Sequence, residues 1–203
     1  MSWIKTIPYE EADKNLKKVY DRVSGPDNNI DNVLSIHSLR PHTLLGHMTL
    51  YKATIHNSNN TLPKWYLEAL GVYTSSLNKC DYCVEHHTAG LRRLLDDDSL
   101  TDEFLQASKE DNLDDLFEDD DRYLSGFNYA RQITHNLSAA SEERIQKLRV
   151  AGFSDGEILE INQVVSYFNY VNRMVVSLGV NTVGDIIGLS PNNSDDPNSW
   201  NHE

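Results

Sequence analysis

The spacing of apolar residues constrains the fold of this chain more than any other feature, because it is helical almost throughout. Apolar side chains recur three and four residues apart, which is the pattern of an amphipathic helix. No segment shows the strict alternation of a half-buried strand, and no Asn-Gly pair signals a hairpin. The sequence therefore predicts an all-α fold.

Capping and turn residues delimit the predicted helices. Thr61 is expected to cap one helix, and Ser154 with Glu157 forms a capping box ahead of the longest one. Glycines just beyond the last turn end several others. The predicted helices cover residues 9–24, 41–58, 62–77, 80–95, 120–134, 141–151 and 154–178, with a short further piece at 182–189.

The length of the chain predicts a single domain. Its 203 residues, of which 39% are hydrophobic, suffice for one ordinary core. We expect the domain to span residues 1–189 and the polar tail, residues 190–203, to be disordered. No apolar signal region opens the sequence, and no run approaches the ~20 apolar residues that span a bilayer. The protein is therefore expected to be cytoplasmic, with no membrane association.

The net charge of −13 is concentrated in residues 96–121, where Lys109 is the single basic residue. A surface of this charge repels nucleic acid and anionic membranes. The favoured interpretation is a solvated acidic face or loop; a docking surface for a basic partner, or a cation site, is the alternative.

The chain has only two cysteines, Cys80 and Cys83, and His87 follows the second by four residues. On a helix these three side chains share one inward face, and a helix beginning here would lower the pKa of the thiols. The pattern indicates a redox dithiol with a proton partner; two small buried hydrophobes beside a core histidine are the alternative. His86 is expected at the surface or an interface, and Tyr82 is expected to serve as packing away from the thiols.

Glu68 is the only charged side chain between Lys64 and Lys79. Trp65 and Val72 share its helical face, so the carboxylate is expected to be poorly solvated. Burial of this kind raises a carboxyl pKa toward neutrality, which suits proton transfer. A structural hydrogen bond or ion pair is the alternative role.

These residues resemble the motif of the alkylhydroperoxidase AhpD-like family, in its peroxidase-related branch within the carboxymuconolactone decarboxylase-like superfamily. That motif is a glutamate, a Cys-x-x-Cys whose first cysteine comes twelve positions later, and a histidine four residues past the second cysteine. Glu68, Cys80, Cys83 and His87 fill it. The similarity extends to residues 32–41, 151–158 and 167–173, and reaches about Leu189. Tyr82 stands where better-studied members often carry histidine. The resemblance implies a helical bundle with the Cys-x-x-Cys at the start of a central helix.

The resemblance also implies a thiol peroxidase that needs no metal or cofactor. Cys83 would attack a hydroperoxide, and Cys80 would resolve the sulfenic acid as a disulfide. Glu68 and His87 would relay protons, and an external dithiol or a redox protein would reduce the disulfide. The helix dipole alone would instead favour Cys80 as the thiolate.

Two other functions remain open from the residues. One is a redox-sensing or interaction protein with negligible turnover. The other is zinc binding by Cys80 and Cys83 with a histidine such as His37 or His56. The last long helix carries apolar residues on more than one face, and relatives in the family form dimers, trimers or hexamers, so a homo-oligomer is expected.

Overall fold

The computed structural model describes residues 2–117, 121–189 and 200, and the regular elements within those ranges are helical. This confirms the predicted all-α class. Short 3₁₀ turns at Tyr9–Glu11, Pro26–Asn28, Asp114–Leu116 and Leu137–Ala139 join the longer elements. In chain order the α-helices are α1 (Lys14–Tyr20), α2 (Asn32–Ser35), α3 (Pro41–Ile55), α4 (Lys64–Leu77), α5 (Asp81–Leu95), α6 (Asp98–Glu110), α7 (Asp121–His135), α8 (Glu142–Val150) and α9 (Asp155–Ser177).

Helix α4 lies at the centre of the bundle. Residues 66–75 are all buried, because α5, α6, α7 and α9 pack around this helix. A helix that is apolar on every side is stable only when it is covered in this way. One close approach is at Gly71, where a Cβ atom would come within 2.3 Å of the Phe168 ring of α9. Glycine at this position allows α9 to pack closely against α4.

The predicted helix boundaries agree with α3, α4, α5, α7, α8 and α9 to within a few residues, whereas α1 is shorter than predicted and α2 and α6 lie outside the predicted helices. The capping box of α9 is present, with Ser154 accepting from the Glu157 amide and Glu157 accepting from the Ser154 amide. Thr61 does not cap α4, because it donates to Glu160 of α9 instead. The predicted first helix is a 3₁₀ turn followed by the shorter α1, which begins at the Asp13 cap.

The acidic region contains a helix, α6, that the sequence pattern did not predict. Asp97 accepts a hydrogen bond from the Leu100 amide and starts α6, which buries Phe104 and Thr101 against the core. Only one face of this helix is solvated, so its acidic residues are compatible with regular structure.

Most of the apolar residues of α9 are buried within a single chain. Six of those that suggested an oligomer are buried, whereas Tyr170 and Val176 remain exposed and Met174 is half-buried. The six are Val164, Val165, Tyr167, Phe168, Val171 and Val175. The expected homo-oligomer therefore rests on the family resemblance more than on this helix, and it stays a prediction.

After α9 the chain folds back toward α2 without forming the helix expected at residues 182–189. The Asp185 carboxylate accepts from the Asn32 amide, and the Asn32 side chain donates to the carbonyls of Asn181 and Val183. The predicted disorder of the tail falls outside the described residues except at Trp200, whose ring is buried beneath the Arg22 guanidinium.

Candidate active site

The two cysteines meet at the start of α5. Cys80 is the N-cap residue, and Cys83 lies in the first turn. Lys79, with a φ of 55°, turns the chain out of α4, and the Cys80 amide then donates to the Ser75 carbonyl. Both thiols are free and buried, and a hydrogen bond of 3.0 Å joins their sulfurs. The Cys-x-x-Cys therefore stands at the start of a central helix, as predicted.

Asn172 of α9 supports the dithiol and was not singled out by its sequence. Its side chain is fully buried, donates to Ser75 Oγ and accepts from the Asn78 amide group. Hydrogen bonding by Asn172 also favours the charged form of both thiols, although burial outweighs this effect at Cys83. The available signal was an asparagine among the apolar residues of a long helix, since a buried amide must find hydrogen-bond partners.

The two thiols differ in acidity. Burial raises the pKa of the Cys83 thiol well above its usual value, and its hydrogen bond with Cys80 raises it further. The pKa of Cys80 is lowered, chiefly because Cys83 hydrogen-bonds to its sulfur. The negative charge of the resting pair therefore favours Cys80, as the helix-dipole argument expects.

Glu68 of α4 and His87 of α5 form a buried pair. His87 Nδ1 lies 2.8 Å from Glu68 Oε2, and the carboxylate is only 3% exposed. Burial alone would raise the pKa of Glu68, but the charge and hydrogen bond of His87 outweigh it, with help from His56 and Arg93. The net direction is downward. The expected rise toward neutrality is therefore wrong, because neighbours from other parts of the chain supply the compensating positive charge.

Two residues complete the surroundings of this carboxylate. His56 Nε2, at the end of α3, lies 3.7 Å from Glu68 Oε1. The sequence had suggested His56 only as a distant zinc ligand. Gly90 of α5 faces the carboxyl group, since a Cβ atom there would lie 3.5 Å from its carbon. That distance is an ordinary van der Waals contact, so the carboxylate lies directly against α5.

Because an ionised Glu68 can only accept hydrogen bonds, the proton between the pair belongs to His87 Nδ1. Nε2 is then the ring nitrogen that can exchange a proton with other groups. The imidazole is held edge-on against Phe168, with ring centroids 4.7 Å apart. His87 is thus fixed in both its tautomer and its orientation.

A cavity of about 60 Å³ opens beside the dithiol, and both Cys83 and His87 line it. Its wall is mainly aromatic and aliphatic. The other residues that line it are Asp31, Val33, Leu34, His47, Met48, Tyr51, Tyr82, His86, Tyr167, Val171 and Leu189. A space of this size holds only a small molecule or a few waters. Cys83 therefore lines a confined and largely apolar space, and His87 lines the same space.

Tyr82 and His86 belong to this wall, contrary to the expectation that they lie outside it. The Tyr82 hydroxyl donates to Asp185 at 2.6 Å, and its ring packs on His86 at 4.6 Å between centroids. His86 Nε2 lies 3.5 Å from the same carboxylate. The residues after α9 cover this side of α5, which sequence periodicity alone could not reveal.

All four residues of the motif therefore lie in one region, as two contacting pairs joined by α5. Glu68 touches His87, and Cys80 touches Cys83. Within the described residues, no group of three or more His, Cys, Asp or Glu side chains is arranged to hold a metal ion. In the same residues, no helix combines the length and apolar character needed to cross a bilayer.

Comparison with known proteins places the fold. No protein-family model and no curated protein matches the chain. An uncharacterised peroxidase-related protein from Silicibacter sp. TM1040 is similar, with 24% identity, a TM-score of 0.67, and coverage of 87% of this chain and 86% of that one. An uncharacterised peroxidase-related protein with an AhpD core, from Ralstonia eutropha JMP134, has 22% identity, a TM-score of 0.71, and coverage of 89% and 92%. The debrominase Bmp8, solved as a cysteine-to-alanine variant with 2,3,4-tribromopyrrole, has 17% identity, a TM-score of 0.56, and coverage of 83% and 86%.

Proposed function

The chain has the helical fold of AhpD-like peroxidase-related proteins, and we propose that it is a thiol peroxidase acting on small hydroperoxides. One observation carries the proposal. A free, buried dithiol presents one sulfur, that of Cys83, to a small cavity which also contains a histidine oriented by a carboxylate. A thiol that shares a cavity with an oriented proton carrier is an arrangement suited to nucleophilic catalysis.

In the proposed reaction the Cys83 thiolate attacks the terminal oxygen of the hydroperoxide. The O–O bond breaks, the oxygen stays on Cys83 as a sulfenic acid, and the alkoxide leaves as an alcohol after taking a proton. Cys80 then attacks Cys83 Sγ, water leaves, and a disulfide forms before further oxidation can occur. An external dithiol or a redox protein returns two electrons and two protons.

Cys83 is the proposed attacking residue although Cys80 has the lower pKa. Cys83 lines the cavity, and access decides which sulfur can meet a substrate. Its proton can pass to Cys80 along the hydrogen bond between the sulfurs, so the charge reaches Cys83 as the reaction begins. A thiolate of high pKa is also the stronger nucleophile once formed.

His87 is the proposed proton carrier, and Glu68 is its positioning partner. With Nδ1 held by Glu68, Nε2 can take a proton from a thiol and give it to the leaving alkoxide. The buried carboxylate stabilises the imidazolium formed between these steps.

The proposal is tested by reacting the reduced protein with one equivalent of a small hydroperoxide. Mass spectrometry should show the loss of two hydrogens, and turnover should follow when a dithiol is added. Sulfonic acids without a disulfide would contradict the mechanism. A disulfide without steady-state peroxide consumption would instead favour the redox-sensing function.

A second candidate, reductive debromination of a small aromatic compound, is favoured by the aromatic wall of the cavity. Tyr51, Tyr167 and His47 stack near one another there. In that reaction the dithiol gives up two electrons, a carbon–bromine bond is replaced by carbon–hydrogen, and bromide leaves. Bromide release from a bromopyrrole, measured against peroxide consumption by the same protein, would decide between the two reactions.

A further inference from the structure

The two cysteines open onto different spaces. Cys83 lines the aromatic cavity, whereas Cys80 lines a separate cleft of about 240 Å³, roughly four times larger. Tyr82 lines both and so stands between them. A disulfide between these cysteines would therefore join a residue that lines one space to a residue that lines the other.

The Cys80 cleft lies between the start of α5 and the end of α9. Its apolar wall comes from Val175, Val176 and Val180. Trp3 extends this surface, because its indole lies against Gly179, where a Cβ atom would come within 2.2 Å of the ring. Trp3 is 80% exposed and Val176 is 47% exposed. Exposed apolar side chains around a cleft mark a place where a ligand can be bound.

The charges on the cleft are mixed, with an acidic excess. Asp81 and Glu85 line it together with Lys79. The remainder of the chain adds to the negative field, since the net charge is −13. A strongly anionic thiol is therefore disfavoured at this entrance, whereas a neutral thiol with an apolar body fits both the wall and the field.

We propose that this cleft is the reductant site, which takes a neutral dithiol and opens the disulfide at Cys80. The inference rests on the dithiol chemistry of the proposed function. One thiolate of the reductant attacks Cys80 Sγ, the bond between the cysteines breaks, and Cys83 leaves as a thiolate and is protonated. The second thiol of the reductant, as its thiolate, then attacks the sulfur bound to Cys80. The reductant leaves as a disulfide, and Cys80 is released as a thiolate.

The first test locates the attacked sulfur. The disulfide is prepared with diamide, so the experiment does not depend on peroxidase activity. The oxidised protein is then mixed with the monothiol 2-mercaptoethanol, quenched with acid and alkylated. Fragment-ion mass spectrometry should find the mixed disulfide on Cys80. An adduct on Cys83 would overturn the proposal, whether or not the protein consumes peroxide.

The second test varies the charge of the cleft at one position. Val176→Lys and Val176→Glu have side chains of similar length and opposite charge. Reduction of the diamide-formed disulfide by dianionic dimercaptosuccinate should be at least about tenfold faster in the lysine variant at low salt, and the difference should shrink at high salt. Reduction by neutral dithiothreitol should differ much less between them.

Two controls separate the cleft from the rest of the molecule. Val150→Lys and Val150→Glu make the same changes at an exposed valine of α8, and their reduction rates should agree within about twofold. Oxidation of the reduced Val176 variants by hydroperoxide should also be equal, because peroxide enters through the other cavity. Two outcomes would overturn the proposal of separate entrances. One is an equal rate of reduction of the two Val176 variants by dimercaptosuccinate, and the other is the same difference between the variants in the rate of oxidation by hydroperoxide as in the rate of reduction.

Discussion

Replacing the buried carboxylate should disable the proton carrier while leaving the fold intact. In the wild type, His87 Nδ1 lies 2.8 Å from a carboxylate oxygen of Glu68. Glu68→Gln keeps the side-chain volume, and its amide oxygen can still accept this hydrogen bond. It removes the negative charge that stabilises a protonated imidazole. We expect peroxide turnover to fall by about 10²-fold, which is typical for the loss of general acid–base participation.

The size of the coupling follows from the burial and geometry of the pair. A hydrogen bond to a charged group contributes about 1.5–3 kcal/mol. The carboxylate is only 3% exposed, so solvent screens this interaction weakly. Glu68 and His87 should therefore act as a unit. The double variant Glu68→Gln/His87→Gln is expected to be about 10- to 150-fold more active than the product of the two single losses predicts.

The assay is single-turnover loss of hydroperoxide for the wild type, both single variants and the double variant. Glu160→Gln is the matched control, because it makes the same chemical change on α9 at a carboxylate that holds Thr61. Near-UV circular dichroism and urea unfolding verify that each protein is folded. The pKa of Glu68 is lowered, so its contribution to stability is present above pH 4.5 and is lost only as the pH falls through the lower folded value.

Additive losses would refute this reasoning. If the double variant shows the full product of the two single effects, the hydrogen bond does not transmit the role of Glu68 to His87. Unchanged turnover in Glu68→Gln would indicate that Glu68 has a purely structural role.

The remaining predictions concern the thiols, the stability and the assembly. Cys83→Ser should abolish the first turnover, whereas Cys80→Ser should react once and strand a sulfenic acid that dimedone traps; the reverse result would show that the thiol of lower pKa is the attacking one. Burial and a nearby carboxylate raise the pKa of Asp31 from 3.8 to about 6, so the stability that its protonated form gives is complete below pH 3.8 and is lost as the pH rises through about 6. Asp31→Asn should therefore gain up to about 3 kcal/mol at pH 7.5 and almost nothing near pH 4, as measured by urea unfolding. Gly71→Ala should cost about 1–3 kcal/mol, because its methyl group would overlap the Phe168 ring, and an unchanged unfolding midpoint would contradict that packing. Light scattering coupled to gel filtration should give the mass of a homo-oligomer; a monomer mass at micromolar concentration would refute it.

Local interactions let the sequence predict much of the fold and part of the site. The helical class, the α9 capping box and the position of Cys80 and Cys83 at the start of α5 depend on neighbours a few residues apart, and the structure confirms them. The resemblance to AhpD-like proteins is confirmed at the level of the fold. The motif also led to the prediction that Glu68 and His87 act in the same site, although only the structure shows that they are in contact.

Tertiary structure decided the electrostatics and the access to the thiols. The pKa of Glu68 falls because His87, His56 and Arg93 approach it from other parts of the chain and outweigh the burial that would raise it. Tyr82 lines both spaces around the dithiol because the chain after α9 folds back over α5. The charges around a buried group and the shape of a cavity both depend on residues that are distant in sequence. Helical periodicity indicates only which face of a helix is buried, and it does not show which residues of other helices contact that face.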